Sequence, residues 1–360
     1  MRALIVDMTP PYDSFRSYPD HKTVFTEVMV YDTQDMIEVD ALRRVYPGPD
    51  KQDVIAVDDI SMRVPHGQTL AILGPNGAGK TTLIKMLTTL LPPTSGTARV
   101  AGMDVTGNAR KVRALIGYVG QGNSAGHTQR ARDEVITQAR IYGADRATAA
   151  RRATELFKTF DLEGMERRRT QEMSGGQRRR LDLAMGLVHH PSLLFLDEPT
   201  TGLDPQNRAN LWNHIRQIRD DTDMTVVVTT HYLDEADAMA DRILIVDHGR
   251  ILADGTAAKL KQTHVGSDVV LETTDVSTVR NLASRLEEHP DALDMTTDAT
   301  SVRIRVRDAR SALPGLIDHA SQQGITVTGA HAHEPTLDDV FLTLTGRSLR
   351  DAATTAQESQ

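Results

Sequence analysis

Residues 74–82 read GPNGAGKTT. The stretch fits G-x-x-x-x-G-K-[S/T], with Gly74, Gly79, Lys80 and Thr81 at the fixed positions. Glycines let the backbone curl so that several N–H groups face a phosphate, and the N-terminus of the following helix adds partial positive charge. Pro75, Asn76, Gly77 and Ala78 fill the loop and Thr82 continues into the helix. In such a loop the lysine reaches the β- and γ-phosphates and the threonine hydroxyl serves Mg²⁺. The flanks agree: TLAIL (69–73) reads as a strand ending at the loop, and TTLIKMLTTLL (81–91) as a helix. A structural glycine turn would not need Lys80 and Thr81 in register. The loop predicts nucleotide triphosphate binding; kinases, GTPases, helicases and transport motors all carry one, so the rest of the chain must choose.

LLFLDE (193–198) has four apolar residues followed by two carboxylates. A buried strand would deliver Asp197 beside the loop, where it can hold Mg²⁺ through water, and Glu198 where it can polarise an attacking water. MSGGQ (173–177) discriminates further, since kinases and GTPases lack it. Ser174, Gly175, Gly176 and Gln177 open a helix, QRRRLDLAMGL, and so form a second anion cradle about a hundred residues downstream of the first. Two cradles in one chain suggest shared sites, the loop from one subunit and the Ser-Gly-Gly from another.

These motifs, in this order, resemble the nucleotide-binding domain of ABC ATPases over roughly residues 36–262. The resemblance implies an α/β P-loop NTPase fold with a helical subdomain at about 122–180, ATP and Mg²⁺ as cofactors, and a set of site residues. Gly74–Thr81 falls on Walker A, Gln121 (after IGYVG) on the Q-loop, and MSGGQ on the signature, with Met for the usual Leu. LLFLDE falls on Walker B with Glu198 as catalytic carboxylate, TGLDP on the D-loop with Asp204, and His231 at the end of MTVVVTTH on the switch histidine. Tyr46 is the candidate for stacking on adenine. By the same resemblance Gln121 would touch Mg²⁺ and water, and Asp204 would lie at a dimer seam. PTLDDVFLTLTGR (335–347) resembles the end of drug-exporter ATPases of the daunorubicin-resistance type, whose transmembrane domains are a separate chain. The implied protein is an ATP-hydrolysing exporter subunit at the cytoplasmic face of a membrane, paired with a second nucleotide-binding subunit and a permease that exports a hydrophobic drug, antibiotic or lipid-like compound.

The rest of the chain is consistent with this. Its 360 residues suffice for two or three cored domains. No apolar run approaches the ~18 residues that cross a bilayer. The absence of cysteine excludes disulfides and thiol chemistry, and a net charge of −8 argues against a dedicated nucleic-acid binder. Residues 1–35 lack sustained periodicity and read as a poorly ordered extension, or as text upstream of a true start at Met29 or Met36. After about 262 the pattern becomes strand 268–273, helix 276–288, strands 292–298 and 301–307, helix 309–323 and strand 325–331. That βαββαβ order predicts a small ferredoxin-like α+β module, a regulatory or dimer-supporting unit over 263–347 that includes a last helix at 336–345. A polar tail, 348–360, follows.

Other features take plainer readings. RRR at 167–169 and 178–180 reads as solvated helix surface or part of a coupling face, His331 and His333 as surface strand, His189-His190 as a helix end, and Trp212 as packing. The rival class is an ABC-type ATPase acting on ribosomes or nucleic acid. Ribosomal members carry two nucleotide-binding domains in one chain, whereas one P-loop and one signature occur here; chromosome-organising members carry long coiled coils or zinc modules between Walker A and the signature.

Overall fold

The computed structural model describes residues 35–48, 52–122, 125–126, 128–287 and 289–346. The expectations for residues 1–34 and for the polar tail lie outside them. Three sheets organise the chain. The first is antiparallel, ordered β2-β1-β4-β5, from β1 (Asp35–Pro47), β2 (Asp53–Pro65), β4 (Ser95–Val100) and β5 (Met103–Asp104). The second is ordered β10-β9-β3-β8-β7-β6, from β3 (Thr69–Leu73), β6 (Ile116–Val119), β7 (Leu193–Asp197), β8 (Thr225–Thr230), β9 (Arg242–Asp247) and β10 (Arg250–Gly255). Its inner pairs are parallel, and only β10 runs antiparallel to its neighbour, through a turn at His248 and Gly249 where both φ are positive.

The strands of this second sheet are continuous apolar runs because both faces are covered. Side chains alternate between two cores, as a period of two requires. Ala71, Leu73, Leu194, Leu196, Val226 and Val228 enter one; Leu70, Ile72, Leu193, Phe195 and Val227 enter the other. The second core is closed by the antiparallel sheet with α1 (Lys80–Leu87) and α2 (Ala109–Leu115). The first is closed by α3 (Ala131–Ile141), α4 (Arg146–Thr159), α5 (Gly175–Gly186), α6 (Pro205–Thr222), α7 (Leu233–Met239) and α8 (Ala257–His264). Val135, Ala139, Leu156, Phe157 and Phe160, at helical spacing in the sequence, are all buried there.

The third sheet, ordered β12-β13-β11-β14, is wholly antiparallel. It comprises β11 (Ser267–Glu272), β12 (Asp294–Thr297), β13 (Ser301–Val306) and β14 (Gly329–His333), with α9 (Val276–Leu286) and α10 (Ala309–Gln322) packed on one core of their own. This is the ferredoxin-like split βαββαβ arrangement. The last strand begins later than the spacing predicts. Ile325 N–H bonds the Ala320 carbonyl, so residues up to 325 close α10, and pairing with β11 starts near Gly329. The final helix, α11 (Leu337–Thr345), returns to the ATPase half, where Leu337, Val340 and Phe341 share a core with Leu260 and Ala236.

Two sequence expectations are corrected. Arg167–Arg169 are not helical; they lie in the turn that pairs Arg169 with Arg130, ahead of a 3-10 turn at Thr170–Glu172. Arg179 is not solvated surface but 7% exposed, because the face of α5 that carries it packs against the loops of the second sheet. His331 and His333 do lie exposed on β14, and Trp212 is buried in the first core. His189 lies just beyond α5, buried and stacked on Tyr142 at 3.7 Å.

Candidate active site

Parallel strands bring their C-terminal ends to one edge of a sheet, and that edge is where α/β proteins build sites. Here β3 runs into the P-loop, β6 into Gln121, β7 into Glu198, and β8 into His231. Register aligns them: Leu73 pairs with Thr230, Asp197 with Thr229, and Val119 with Leu196.

The loop needs its glycines for stated reasons. Gly79 sits at φ +100°, and a Cβ there would lie 2.2 Å from the Ala56 carbonyl oxygen. At Gly74 a Cβ would lie 2.1 Å from the Val246 carbonyl oxygen. Pro75 and Ala78 are buried, whereas Asn76 and Gly77 are exposed at the tip. Lys80 and Thr81 open α1, followed by Thr82. The Lys80 ammonium is buried and donates to the carbonyls of Gly74 (2.7 Å) and Pro75 (3.0 Å). It also lies 3.4 Å from Glu198 Oε1.

The carboxylates are held by a hydroxyl network. Thr229 donates to Asp197 Oδ1 at 2.6 Å and its oxygen accepts the Glu198 N–H at 3.0 Å. Thr81 donates to the same Asp197 oxygen at 3.1 Å. Asp197 is fully buried, and its Oδ2 has no hydrogen-bond partner among the described residues. A buried orphan carboxylate oxygen beside a threonine hydroxyl is the hard-oxygen donor set that suits Mg²⁺. Glu198 lies at φ +47°, a left-handed backbone that a side-chain-bearing residue adopts at a cost. Its Oε2 lies 3.4 Å from His231 Nδ1 and accepts from Thr201 at 3.3 Å.

Burial pushes the Glu198 carboxyl up. The His231 ring 3.4 Å away, the Lys80 ammonium and Gln121 outweigh that and hold its pKa at about 2. For Lys80 the balance falls the other way: burial lowers its pKa more than Glu198 and Asp197 raise it. The structure therefore brings Lys80, Thr81, Asp197, Glu198, Gln121 and His231 into one cluster.

The remaining predicted residues stand in two other places. Tyr46 is half-buried on β1 opposite Val54, two residues along β2 from the Ala56 carbonyl that Gly79 meets; Arg44 lies 4.8 Å over its ring. The signature opens α5 with a capping box: Ser174 Oγ accepts the Gln177 N–H at 3.2 Å, and Gln177 accepts the Ser174 N–H at 3.0 Å. Ser174 and Gly175 are exposed, while Gly176 is buried so closely on Asn207 that a Cβ would clash. Asp204 caps α6, accepting the Asn207 N–H at 2.9 Å and its amide group at 2.6 Å.

Sequence reading missed Thr229 and Glu235. The signal for Thr229 was its position, a hydroxyl closing an otherwise apolar strand just ahead of His231. Glu235 is buried on α7, accepting from Thr200 at 3.0 Å and Thr230 at 3.1 Å, with Arg208 3.4 Å away. Burial raises its pKa despite those donors.

A P-loop, a strand ending at Asp197-Glu198, a histidine just past the next strand and a helix capped by Ser-Gly-Gly define an ABC-type ATPase. The family model for ABC transporters matches residues 57–201, and that for the C-terminal domain of DrrA1-3-like ATP-binding proteins matches 255–345. The daunorubicin/doxorubicin resistance ATP-binding protein DrrA of Streptomyces peucetius is 41% identical over 88% of this chain and 94% of its own. The doxorubicin resistance ATP-binding protein DrrA of Mycobacterium tuberculosis (strain H37Rv) is 36% identical over 86% and 93%. The linearmycin resistance ATP-binding protein LnrL of Bacillus subtilis is 33% identical over 82% and 95%. Among solved structures, cbiO1 of Clostridium perfringens, part of the transporter complex cbiONQ, superposes with a TM-score of 0.56 at 27% identity, covering 62% of this chain and 89% of its own. The chain belongs to the DrrA-like group of ABC transporter ATP-binding proteins: it is an ATPase, the ATP-binding subunit of a drug- and antibiotic-resistance exporter family.

Proposed function

We propose that two copies of this chain bind two ATP molecules at their interface and that the cycle of closure and hydrolysis drives a separate membrane permease. One contrast carries the reading. The P-loop is walled by its own chain down to the buried Lys80–Glu198 pair, whereas Ser174 and Gly175 are exposed and their polar groups are engaged only in capping their own helix. An exposed anion cradle at a helix N-terminus suits a nucleotide brought by a partner.

In this reading the Gly74–Thr82 backbone and Lys80 hold the phosphates, and Tyr46 stacks on the adenine. Glu198, kept ionised, orients the attacking water and accepts its proton at Oε2 or Oε1, while His231 steadies the carboxylate and contacts the γ-phosphate. Thr81 and Asp197 Oδ2, with Gln121, would hold Mg²⁺, which when bound neutralises charge developing on the phosphate oxygens. The signature of the partner subunit closes the site, and Asp204 lies along the seam. Among the described residues no helix is long and apolar enough to cross a membrane, and in this reading the permease supplies the spanning helices. The cargo follows the relatives: a hydrophobic drug, antibiotic or lipid-like molecule.

The test is ATP-dependent dimerisation of the Glu198→Gln protein, followed by light scattering with ATP and Mg²⁺. A species that stays monomeric at saturating ATP would sink the shared-site reading. Reconstitution with a membrane permease subunit should make ATPase activity respond to hydrophobic cargo; indifference to every such permease tried would sink the exporter assignment.

A further inference from the structure

The middle arginine of the 178–180 run does something the ABC motifs do not assign to it. Arg179 Nε donates to the Pro199 carbonyl at 2.7 Å, Nη1 to the Gly120 carbonyl at 2.7 Å, and Nη2 reaches the Asp197 carbonyl at 3.5 Å. Asp197 and Pro199 flank Glu198, so the guanidinium straddles the one residue whose backbone is held left-handed at the end of β7. Gly120 precedes Gln121. One turn further along α5, the buried Asp182 accepts the Ala125 N–H at 3.2 Å, so the same helix holds both Gly120, just before Gln121, and Ala125. A planar five-donor fork can serve carbonyls from separate loops at once; an ammonium presents one compact point of charge.

We propose that Arg179 is a positioning residue for hydrolysis: it fixes Glu198 and the Gln121 loop of its own subunit to the helix whose first turn is the signature. A strained φ persists only where its surroundings over-determine it, and Arg179 supplies that constraint at Glu198. The helix that would receive the partner's nucleotide thereby also sets the catalytic turn of its own site. This last step rests on the shared-site reading above, while the positional role does not.

The first experiment uses full-length homogeneous protein. Arg179→Lys should lower kcat by ~10–100-fold, the scale of a small misplacement of a catalytic group. KM for ATP should stay within about twofold, since Lys80 and the P-loop are untouched. Calorimetric ATP affinity certifies the fold, and Arg179→Gln, which keeps neutral donors, repeats the comparison. Unchanged kcat, or loss of ATP binding in both variants, overturns the proposal. The second experiment uses mixed dimers with two affinity tags, one subunit carrying Glu198→Gln so that one site hydrolyses. Arg179→Lys placed in the subunit with intact Glu198 should slow that site; placed in the Glu198→Gln subunit it should leave turnover at the control rate. Equal losses in both arrangements, or loss in the second alone, overturn the cis linkage. If Glu198→Gln protein never dimerises with ATP, the shared-site reading fails, and the kcat–KM split alone decides for Arg179.

Discussion

The molecule has two anion cradles, and they are built on opposite plans. The P-loop cradle is dense: Lys80 is 4% exposed, ties back to two loop carbonyls, and is matched by Glu198 within its own chain. The signature cradle is sparse: Ser174 and Gly175 are exposed, and no acidic residue stands in the first turn of their helix. A site that must bind an anion alone has to neutralise its own buried cation in the empty state. On the proposed shared-site reading, the signature end meets its anion only in the assembly and can stay open in the free chain.

The largest expected effect comes from breaking the dense side at its base. Glu198→Gln should slow hydrolysis by about 10²–10⁴-fold with ATP binding retained, measured as phosphate release at saturating ATP. Near-normal turnover would remove Glu198 from the mechanism. Next, Lys80→Ala should weaken ATP binding to dilute monomer by roughly 10–100-fold, as loss of a charge-assisted contact implies. Ser174→Arg should leave that affinity largely intact yet abolish the ATP-trapped dimer of the Glu198→Gln protein. Equal losses of monomer affinity for the two substitutions would place Ser174 on the nucleotide of its own chain and erase the contrast.

A smaller effect should follow from the backbone. Gly79→Ala forces a side chain into φ +100° and against the Ala56 carbonyl, so thermal unfolding should show a loss of ~1–3 kcal/mol. Ala at exposed Gly175, where a Cβ meets nothing within 4 Å, should cost far less. Two titrations complete the series. Glu198 has a folded pKa of about 2, below its ordinary 4.5, so its ion adds stability that is complete above about pH 4.5 and fades as pH falls toward 2. The gain is on the order of 3 kcal/mol before the opposing burial of Lys80 is counted. His189, pushed down to about 4 by burial, loses its contribution earlier, as pH falls from 6.5 toward 4. Acid unfolding of wild type against His189→Gln and Glu198→Gln should therefore resolve two windows, and a single shared window would contradict both assignments.

Most of this architecture was legible because its signals are local. Gly74–Thr81, Asp197-Glu198 and His231 each sit where an apolar strand stops, and strand ends converge on one sheet edge whatever lies between them. The βαββαβ order also followed from short-range pattern. What local pattern could not show is which face of a helix meets a loop fifty residues away. In RRR, Arg178, Arg179 and Arg180 are equivalent as text, yet the middle one points at Gly120 and Pro199. The ion pair between Lys80 and Glu198, 118 positions apart, and the Thr229 bridge between two carboxyl-bearing residues are likewise products of sheet register.

Helix α11 also sets a timetable. Leu337, Val340 and Phe341 complete a core begun by Ala236 and Leu260, but the ribosome must first make the whole third sheet. At ~5–20 residues per second that interval is on the order of 4–15 s. During it the ATPase half is synthesised, motifs included, with an apolar seam uncovered beside α7, the helix that follows His231. A chain cut at 262 would remain in that nascent condition permanently. The sandwich is thus spliced between two pieces of one core, and its own folding decides when the last piece arrives.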